Sequence, residues 1–278
     1  MKRIGLALGG GGAKGLAHIP MLETLDAMGL RPHCIAGTSI GAIMGALYAA
    51  GVSGRAIRER VNTMLISKGD SFRDALKKRD ALRWIEFLDV DFGRSALFRG
   101  DKFIAFLYEA IGVETFEELD IPLRVVASDF WTSEQVVLEA GPLMPAVKAS
   151  MGLPGVFTPV TVDARVLIDG GGVNPVPHDL LDDCDFVIAI DVMGDVTQSK
   201  GPLPHLFRAV LGTFDIMQNS IVREKLKLAP PDIYLRPRIQ NIDILEFYKA
   251  EDIYRQVEPD RMAFRRQLEA ALEDDEGT

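Results

Sequence analysis

Near its start the chain contains one pattern twice: a short apolar segment, a turn of small residues, and a segment with helical periodicity. Residues 4–8 lead through glycines at 9–12 into apolar residues at helical spacing over 13–28. Residues 34–36 lead in the same way into a helical pattern at 40–50. Strands that alternate with helices build a mostly parallel sheet that is covered on both faces. The repeat therefore predicts an α/β fold.

The remainder of the chain continues this alternation. Further strand patterns occur at 123–128, 135–139, 166–169, 186–191 and 233–235. Helical patterns occur at 101–111, 143–151, 203–228 and 242–272. We expect a three-layer sandwich with a mostly parallel central sheet and helices on both faces, in which the hairpin at 123–139 is the antiparallel exception. One domain over residues 1–278, with C-terminal helices at 203–272, suits a chain of this length.

Residues 67–99 interrupt the alternation, and we expect them to form an insertion over the sheet. Charged side chains crowd the first half of the segment, and large apolar side chains follow between Trp84 and Phe98. One interpretation is a lid that contacts lipid, since an apolar substrate needs an apolar entrance. The other is a satellite core cluster beneath a loop.

The charge balance argues against one class of partner. The chain has 40 acidic and 31 basic residues, so no excess positive potential exists for a nucleic-acid backbone. Membrane contact would have to be apolar. Two cysteines in apolar segments, Cys34 and Cys184, favour a reducing compartment. We expect a cytoplasmic protein without an export signal or membrane span, with peripheral contact to the inner membrane surface left open.

The first motif with chemical meaning is Gly37-Thr38-Ser39-Ile40-Gly41, which fits G-x-S-x-G between a predicted strand and a predicted helix. In such a turn the serine backbone is strained, and Gly37 and Gly41 avoid collisions that a Cβ atom would cause. The hydroxyl of Ser39 would then be presented at a helix N-terminus, where negative charge on oxygen is stabilised. The motif predicts a nucleophile, and the alternative is an ordinary turn.

The second motif is the glycine run that ends the first strand, with Gly10, Gly11 and Gly12 followed by Lys14 and Gly15. Consecutive glycines leave backbone N–H groups free to form a concave anion site, which suits an oxyanion or a phosphate. A dinucleotide site also fits this spacing, but it requires an acidic residue after the second strand, where Ala-Gly-Thr-Ser stands instead. A P-loop is excluded because Lys14 is followed by glycine.

The third motif is Asp169-Gly170-Gly171-Gly172, directly after a predicted strand. An aspartate at that place points into the crevice where open α/β sheets bind ligands, although a simple turn aspartate is the alternative. None of the four histidines stands where a Ser-Asp-His order would place one after a final strand. His18 is interpreted as a packed helix residue, and no spacing indicates a metal site.

With these three motifs in this order, the chain resembles the patatin-like phospholipase family. The segments 149–159 and 127–130 also resemble its stand-alone bacterial members. The resemblance implies a Ser39–Asp169 catalytic dyad without histidine, an oxyanion loop at Gly10 to Gly12, and no cofactor or metal. Lys14 stands where the family often has Arg, and Gly171 where it often has Ala, so charge and small size are kept.

The resemblance implies a serine lipid acyl hydrolase: a phospholipase A, lysophospholipase or carboxylesterase that forms an acyl-enzyme. The substrate would be a lipid or a small ester. Two alternatives stay open: an acyltransferase that uses the same dyad, and a regulatory module in which the glycine loop holds phosphate. Lys14 either orders the loop beside lipid phosphate or is simply solvated. Head group, acyl length and oligomeric state do not follow from these residues.

Overall fold

The structure is a computed structural model that describes residues 2–66, 96–98, 111–194 and 206–276. Its strands are β1 (Ile4–Leu8), β2 (Cys34–Thr38), β3 (Ala96–Phe98), β4 (Leu123–Asp129), β5 (Gln135–Leu138), β6 (Gly155–Phe157), β7 (Val160–Val162), β8 (Arg165–Asp169), β9 (Phe186–Ile190) and β10 (Ile233–Leu235). Its α-helices are α1 (His18–Ala27), α2 (Ile40–Ala49), α3 (Gly54–Ile66), α4 (Leu143–Ser150), α5 (Leu206–Leu228) and α6 (Ala250–Glu276).

The main sheet has the strand order β10-β9-β1-β2-β4-β8-β7, with β5 paired to β4 as well. The five strands from β10 to β4 run parallel. The predicted hairpin is confirmed, since β4 and β5 pair antiparallel. The expectation that this hairpin is the only antiparallel exception is wrong, because β8 runs antiparallel to both β4 and β7.

Successive side chains of each strand point to opposite faces of the sheet. Leu6, Leu8 and their neighbours on other strands pack into the large core that α1, α2 and α6 cover. Ala7 and Ala189 point to the opposite face, where they pack against Val222 of α5 and the segment before β9. Helices on both faces of a mixed, mostly parallel sheet give the predicted three-layer α/β sandwich.

Strands β2 and β8 lie end to end along one edge of β4. β2 pairs with residues 123–126 of β4 and ends opposite Val126, whereas β8 pairs with residues 127–129 and ends opposite Ala127. The hairpin partner β5 pairs with residues 125–128, so it must occupy the other edge of β4. The two strands therefore run toward each other, and the residues that follow their last paired positions meet inside the sheet.

Several predicted boundaries differ from the structure. The helix predicted at 13–28 begins as a 3-10 helix over Gly12–Ala17 before α1 starts. The helix predicted from residue 242 begins at Ala250. The loop before it lies against the glycine loop, since the Ala13 N–H donates a hydrogen bond to the Ile244 carbonyl (2.8 Å). Strands β6 and β7 were not predicted.

Other predictions fall partly on undescribed residues. Apart from β3, which pairs in parallel with β6, the proposed lid at 67–99 lies outside the described residues, as does nearly all of the helix predicted at 101–111. None of the described helices combines the length and apolar character needed to cross a bilayer.

Candidate active site

Ser39 occupies a strained turn between β2 and α2. Its backbone has φ 55° and ψ −123°, a conformation that a non-glycine residue rarely adopts. A Cβ atom on Gly37 would lie 2.7 Å from the Ala42 Cα, and one on Gly41 would lie 2.0 Å from the Leu8 carbonyl oxygen. Both glycines are therefore required sterically, and together they let α2 start directly against the sheet and hold Ser39 above it.

Ser150 supports this turn from the end of α4. Its hydroxyl is fully buried, accepts a hydrogen bond from the Ser39 N–H (2.8 Å) and donates one to the Val126 carbonyl (2.5 Å). Without Ser150 this part-buried amide would lose its hydrogen-bond partner, which destabilises the turn. Ser150 thus links the strained turn to β4.

Asp169, the last residue of β8, lies beside Ser39. Its carboxylate is buried and accepts a hydrogen bond from the Gly171 N–H (2.7 Å), and the Ser39 hydroxyl is near enough to stabilise its charged form. Desolvation by burial raises the pKa of Asp169 to about 6, and the Gly171 N–H and the Ser39 hydroxyl oppose this rise without cancelling it. A carboxylate with a raised pKa is a stronger base than an exposed aspartate.

The Asp169 turn needs glycine for close packing. A Cβ atom on Gly170 would lie 2.2 Å from the Val126 carbonyl oxygen, because the turn passes directly over β4. The Ser128 hydroxyl also donates a hydrogen bond to the Asp169 carbonyl (2.8 Å). The turn and β4 are therefore in direct contact where β2 and β8 meet.

The glycine loop offers fewer free donors than the sequence predicted. The Gly10 N–H donates to the Pro175 carbonyl (2.9 Å), so it is not free for an oxyanion. In the described part of the chain, neither the Gly11 nor the Gly12 N–H has a backbone acceptor, since both precede the first intrahelical bond of the 3-10 helix. Both glycines line the same pocket as Ser39.

The remaining residues of the loop have structural contacts. The Lys14 ammonium donates to the Met193 carbonyl (3.0 Å), which ties the loop to the segment after β9 and agrees with a loop-ordering role. Gly15 packs against Ile40, whose side chain would lie 2.2 Å from an added Cβ atom. His18 is fully buried and contacts the Gly9 carbonyl (2.9 Å), so it is a packed residue as predicted.

One pocket joins these groups. It contains Ser39, Asp169 and the glycine loop on its polar side, and Lys14, Asp215 and Gln218 also line it. Most of its remaining wall is apolar and includes Ile43, Met151, Leu153, Phe157, Phe214 and Leu245. Across the described ranges, no group of three His, Cys, Asp or Glu side chains could hold a metal ion. The pocket therefore combines a serine–carboxylate pair, unpaired amides and a surface for a hydrocarbon chain.

Comparison with known proteins identifies the family. The family model for patatin-like phospholipases matches residues 6–182, a segment that contains Ser39 and Asp169. The chain belongs to the patatin-like phospholipase family. An uncharacterised NTE-family protein of Mycobacterium tuberculosis is 32% identical over 194 residues, which are 69% of this chain and 49% of that protein.

Two further relatives of this patatin-like chain are much longer proteins. Neuropathy target esterase of Drosophila melanogaster is 34% identical over 194 residues, 68% of this chain and 13% of that protein. A lysophospholipase of Pyricularia oryzae is 27% identical over 276 residues, 91% of this chain and 18% of that protein. The patatin-like chain thus spans about half of the mycobacterial relative and less than a fifth of these two.

A solved structure supports the fold. VipD from Legionella pneumophila matches with a TM-score of 0.51 and 13% sequence identity, and the match covers 95% of this chain and 67% of that one. At this identity the likeness extends to the fold alone.

Three residues of the site were not predicted as functional. Ser150 lies in a segment that resembles the family, but nothing in its neighbourhood assigns it to the Ser39 amide. Gln218 and Phe214 lie on α5, where their spacing of four residues indicates only a shared helix face. Pocket residues on a distant helix leave no local signal in the sequence, so only the packing of α5 identifies them.

Proposed function

We propose that this patatin-like chain hydrolyses carboxylic esters of lipids, with Ser39 as the nucleophile and Asp169 as its base. The observation that carries the proposal is the buried Asp169 carboxylate beside the Ser39 hydroxyl in a largely apolar pocket. A serine hydroxyl is a weak nucleophile until a neighbouring base accepts its proton. The proposal assigns this role to Asp169 and requires no histidine.

The proposed reaction has two steps. In the first, the Ser39 oxygen attacks the ester carbonyl while its proton moves to Asp169, and collapse of the tetrahedral intermediate breaks the bond to the alcohol oxygen, which receives the proton from Asp169. In the second, water attacks the acyl-enzyme and gives its proton to Asp169. Ser39 then leaves with that proton, and the fatty acid is released.

The oxyanion of each tetrahedral intermediate would lie against the Gly11 and Gly12 N–H groups. The Ile40 N–H is a third candidate, because it begins α2 and has no intrahelical acceptor. Donors that are already oriented toward developing charge stabilise it without reorganisation. We exclude the Gly10 N–H from this set because Pro175 already accepts its hydrogen bond.

The apolar wall supports a fatty acyl chain as the acid part of the substrate. The names of the relatives agree with this, since they include a neuropathy target esterase and a lysophospholipase. Residues from α5 and from the loop before α6 line the pocket together with the dyad. For this reason we also propose that the C-terminal helices belong to one functional domain with residues 6–182. A cytoplasmic location remains part of the proposal, supported by the two free cysteines.

The experiment that tests the proposal combines labelling with product analysis. A fluorophosphonate should label the folded protein, and mass spectrometry should locate the adduct on Ser39; the Ser39→Ala variant should not react. Monoacyl lipids should then yield free fatty acid. Labelling elsewhere, or no labelling of a folded sample, would support the regulatory phosphate-binding alternative. If an added alcohol receives the acyl group in preference to water, the same dyad acts as an acyltransferase.

Activity should depend on pH through Asp169. The base must be ionised to accept the Ser39 proton, and its pKa is about 6. We therefore expect kcat/KM for a neutral short-chain ester to be constant well above pH 6 and to fall about tenfold per pH unit below it. A circular dichroism spectrum at each pH checks that the protein stays folded. A profile that is flat down to about pH 4 in folded protein would contradict the raised pKa.

A further inference from the structure

Gln218 is a polar side chain of the pocket that the proposed dyad chemistry does not use. It lies on α5, is 6% exposed and lines the same pocket as Ser39 and Asp169. Within the described ranges its amide has no hydrogen-bond partner. The amide atoms nevertheless keep some contact with solvent. A nearly buried amide without a protein partner costs free energy unless a ligand or water pairs with it. Because Gln218 lines the pocket, a ligand bound there is the partner that its amide would meet.

The Gln218 amide packs directly over the Asp169 turn. A Cβ atom on Gly171 would lie 1.9 Å from the Gln218 Nε2 and 3.0 Å from the Asp169 Oδ1. The amide nitrogen and the carboxylate oxygen are thus no further apart than the sum of these two distances. Gly171 permits this approach, because any side chain at that position would displace the amide.

The position next to Asp169 indicates which part of a substrate the amide can contact. This step rests on the proposed function, in which Asp169 delivers the proton to the departing alcohol oxygen. The alcohol portion must then lie beside Asp169, while the acyl carbonyl lies against Gly11 and Gly12. The Gln218 amide is within reach of oxygen atoms on the alcohol portion. Asp215, three residues earlier on the same helix, also lines the pocket.

We propose that Gln218 is a specificity-determining residue that hydrogen-bonds a hydroxyl group next to the scissile ester. Its amide group both donates and accepts hydrogen bonds, which suits a hydroxyl partner. The favoured substrates are monoacyl esters of a polyol such as glycerol, and esters of simple alcohols leave the amide unpaired. A site that is built to pair with a hydroxyl discriminates against analogues that lack it.

The test compares two soluble esters that differ only in hydroxyl groups, glyceryl hexanoate and propyl hexanoate. Wild type should hydrolyse glyceryl hexanoate with the higher kcat/KM. Gln218→Ala should lower the ratio of kcat/KM for glyceryl hexanoate to kcat/KM for propyl hexanoate about tenfold, with little change in kcat/KM for propyl hexanoate itself. Met217→Ala, at an exposed position on the same helix, is the matched control and should keep the wild-type ratio. Equal losses on both esters would overturn the inference, because they would indicate a structural role near Asp169.

A binding measurement separates this inference from the proposed function. In Ser39→Ala protein, which cannot form an acyl-enzyme, glyceryl hexanoate should bind more tightly than propyl hexanoate. Adding Gln218→Ala should remove the difference, and equal binding of the two esters by Ser39→Ala would overturn the inference. The fluorophosphonate label on Ser39 tests the proposed function separately. An unlabelled folded wild type would contradict the proposed function, whereas a labelled wild type combined with equal binding of the two esters by Ser39→Ala would contradict only the inference about Gln218. Gly171→Ala, which displaces the amide sterically, should give the same loss of selectivity.

Discussion

Replacing Asp169 with asparagine is expected to lower kcat/KM by about 10³-fold or more while making the folded protein more stable at neutral pH. Asparagine keeps the shape of the side chain and can still accept the Gly171 hydrogen bond, but it cannot take the Ser39 proton. Loss of a positioned general base typically costs 10²–10⁴-fold in rate. Ester hydrolysis under conditions where wild type is folded measures this loss.

The stability change follows from the raised pKa of the Asp169 carboxyl. Burial raises it from the ordinary 3.8 to about 6, so the folded state favours the neutral acid more than the unfolded state does. The favourable effect of protonation is present below pH 3.8 and is lost as the pH rises through 6. A difference of about two pKa units corresponds to about 3 kcal/mol of unfolding free energy, and ionisation of Asp169 removes this amount from the wild-type protein at pH 8. Asp169→Asn avoids this cost.

Urea unfolding of both proteins at about pH 8 and about pH 4 measures this effect. The stability advantage of Asp169→Asn should be largest at the higher pH and nearly vanish at the lower one. Asp163→Asn is the matched control: Asp163 is exposed in the turn before β8 and has φ 47°, which asparagine also tolerates. It should change neither activity nor the pH dependence. An Asp169→Asn protein that keeps a tenth of wild-type activity would contradict the dyad.

Replacing Gly41 with alanine is expected to destabilise the fold by about 3 kcal/mol or more. The added methyl group would lie 2.0 Å from the Leu8 carbonyl oxygen and 2.8 Å from that of Gly9. Both are backbone atoms at the end of the central strand β1, so no side chain can rotate to make room. The start of α2 must then move away from the sheet and carry Ser39 with it, and hydrolysis should fall together with stability.

Gly212→Ala is the control for the same substitution in another helix. Gly212 lies within α5, and no atom outside its own helix backbone lies within 4 Å of the added methyl group. Alanine there should raise the unfolding free energy by up to about 1 kcal/mol, since glycine is the poorer helix former. Thermal unfolding followed by circular dichroism compares the two variants. Equal stability of Gly41→Ala and wild type would show that α2 does not pack on β1 as described.

The strands show both the strength and the limit of sequence patterns. Apolar segments correctly predicted seven strands of the main sheet, because buried strands need continuous apolar side chains. The same patterns carry no information about strand direction, and β8 was wrongly expected to run parallel. Its antiparallel course follows from its pairing with β4, and β4 and β8 are separated by more than thirty residues in the chain.

The glycine loop shows a second limit. Its residues predicted an anion site because glycines expose backbone amides, and in the described ranges neither the Gly11 nor the Gly12 N–H has a backbone acceptor, while both residues line the pocket. The Gly10 N–H instead donates a hydrogen bond to the carbonyl of Pro175, a residue that no local pattern connects with the loop. The sequence of the loop therefore predicts that backbone N–H groups are the donors. Whether each N–H group is free to bind an anion depends on carbonyl groups that are distant in the chain.

By itself the sequence determined the parts of this site that steric limits within a few residues control: the strained turn at Ser39, the glycine loop and the turn after Asp169. Such turns tolerate few residue types, so their motifs are readable. Only the tertiary structure decided that β2 and β8 meet end to end, which brings Asp169 to Ser39 and buries its carboxylate. It also decided that α5 places Gln218 over Gly171. These contacts join distant segments through packing, and packing can be satisfied by many sequences.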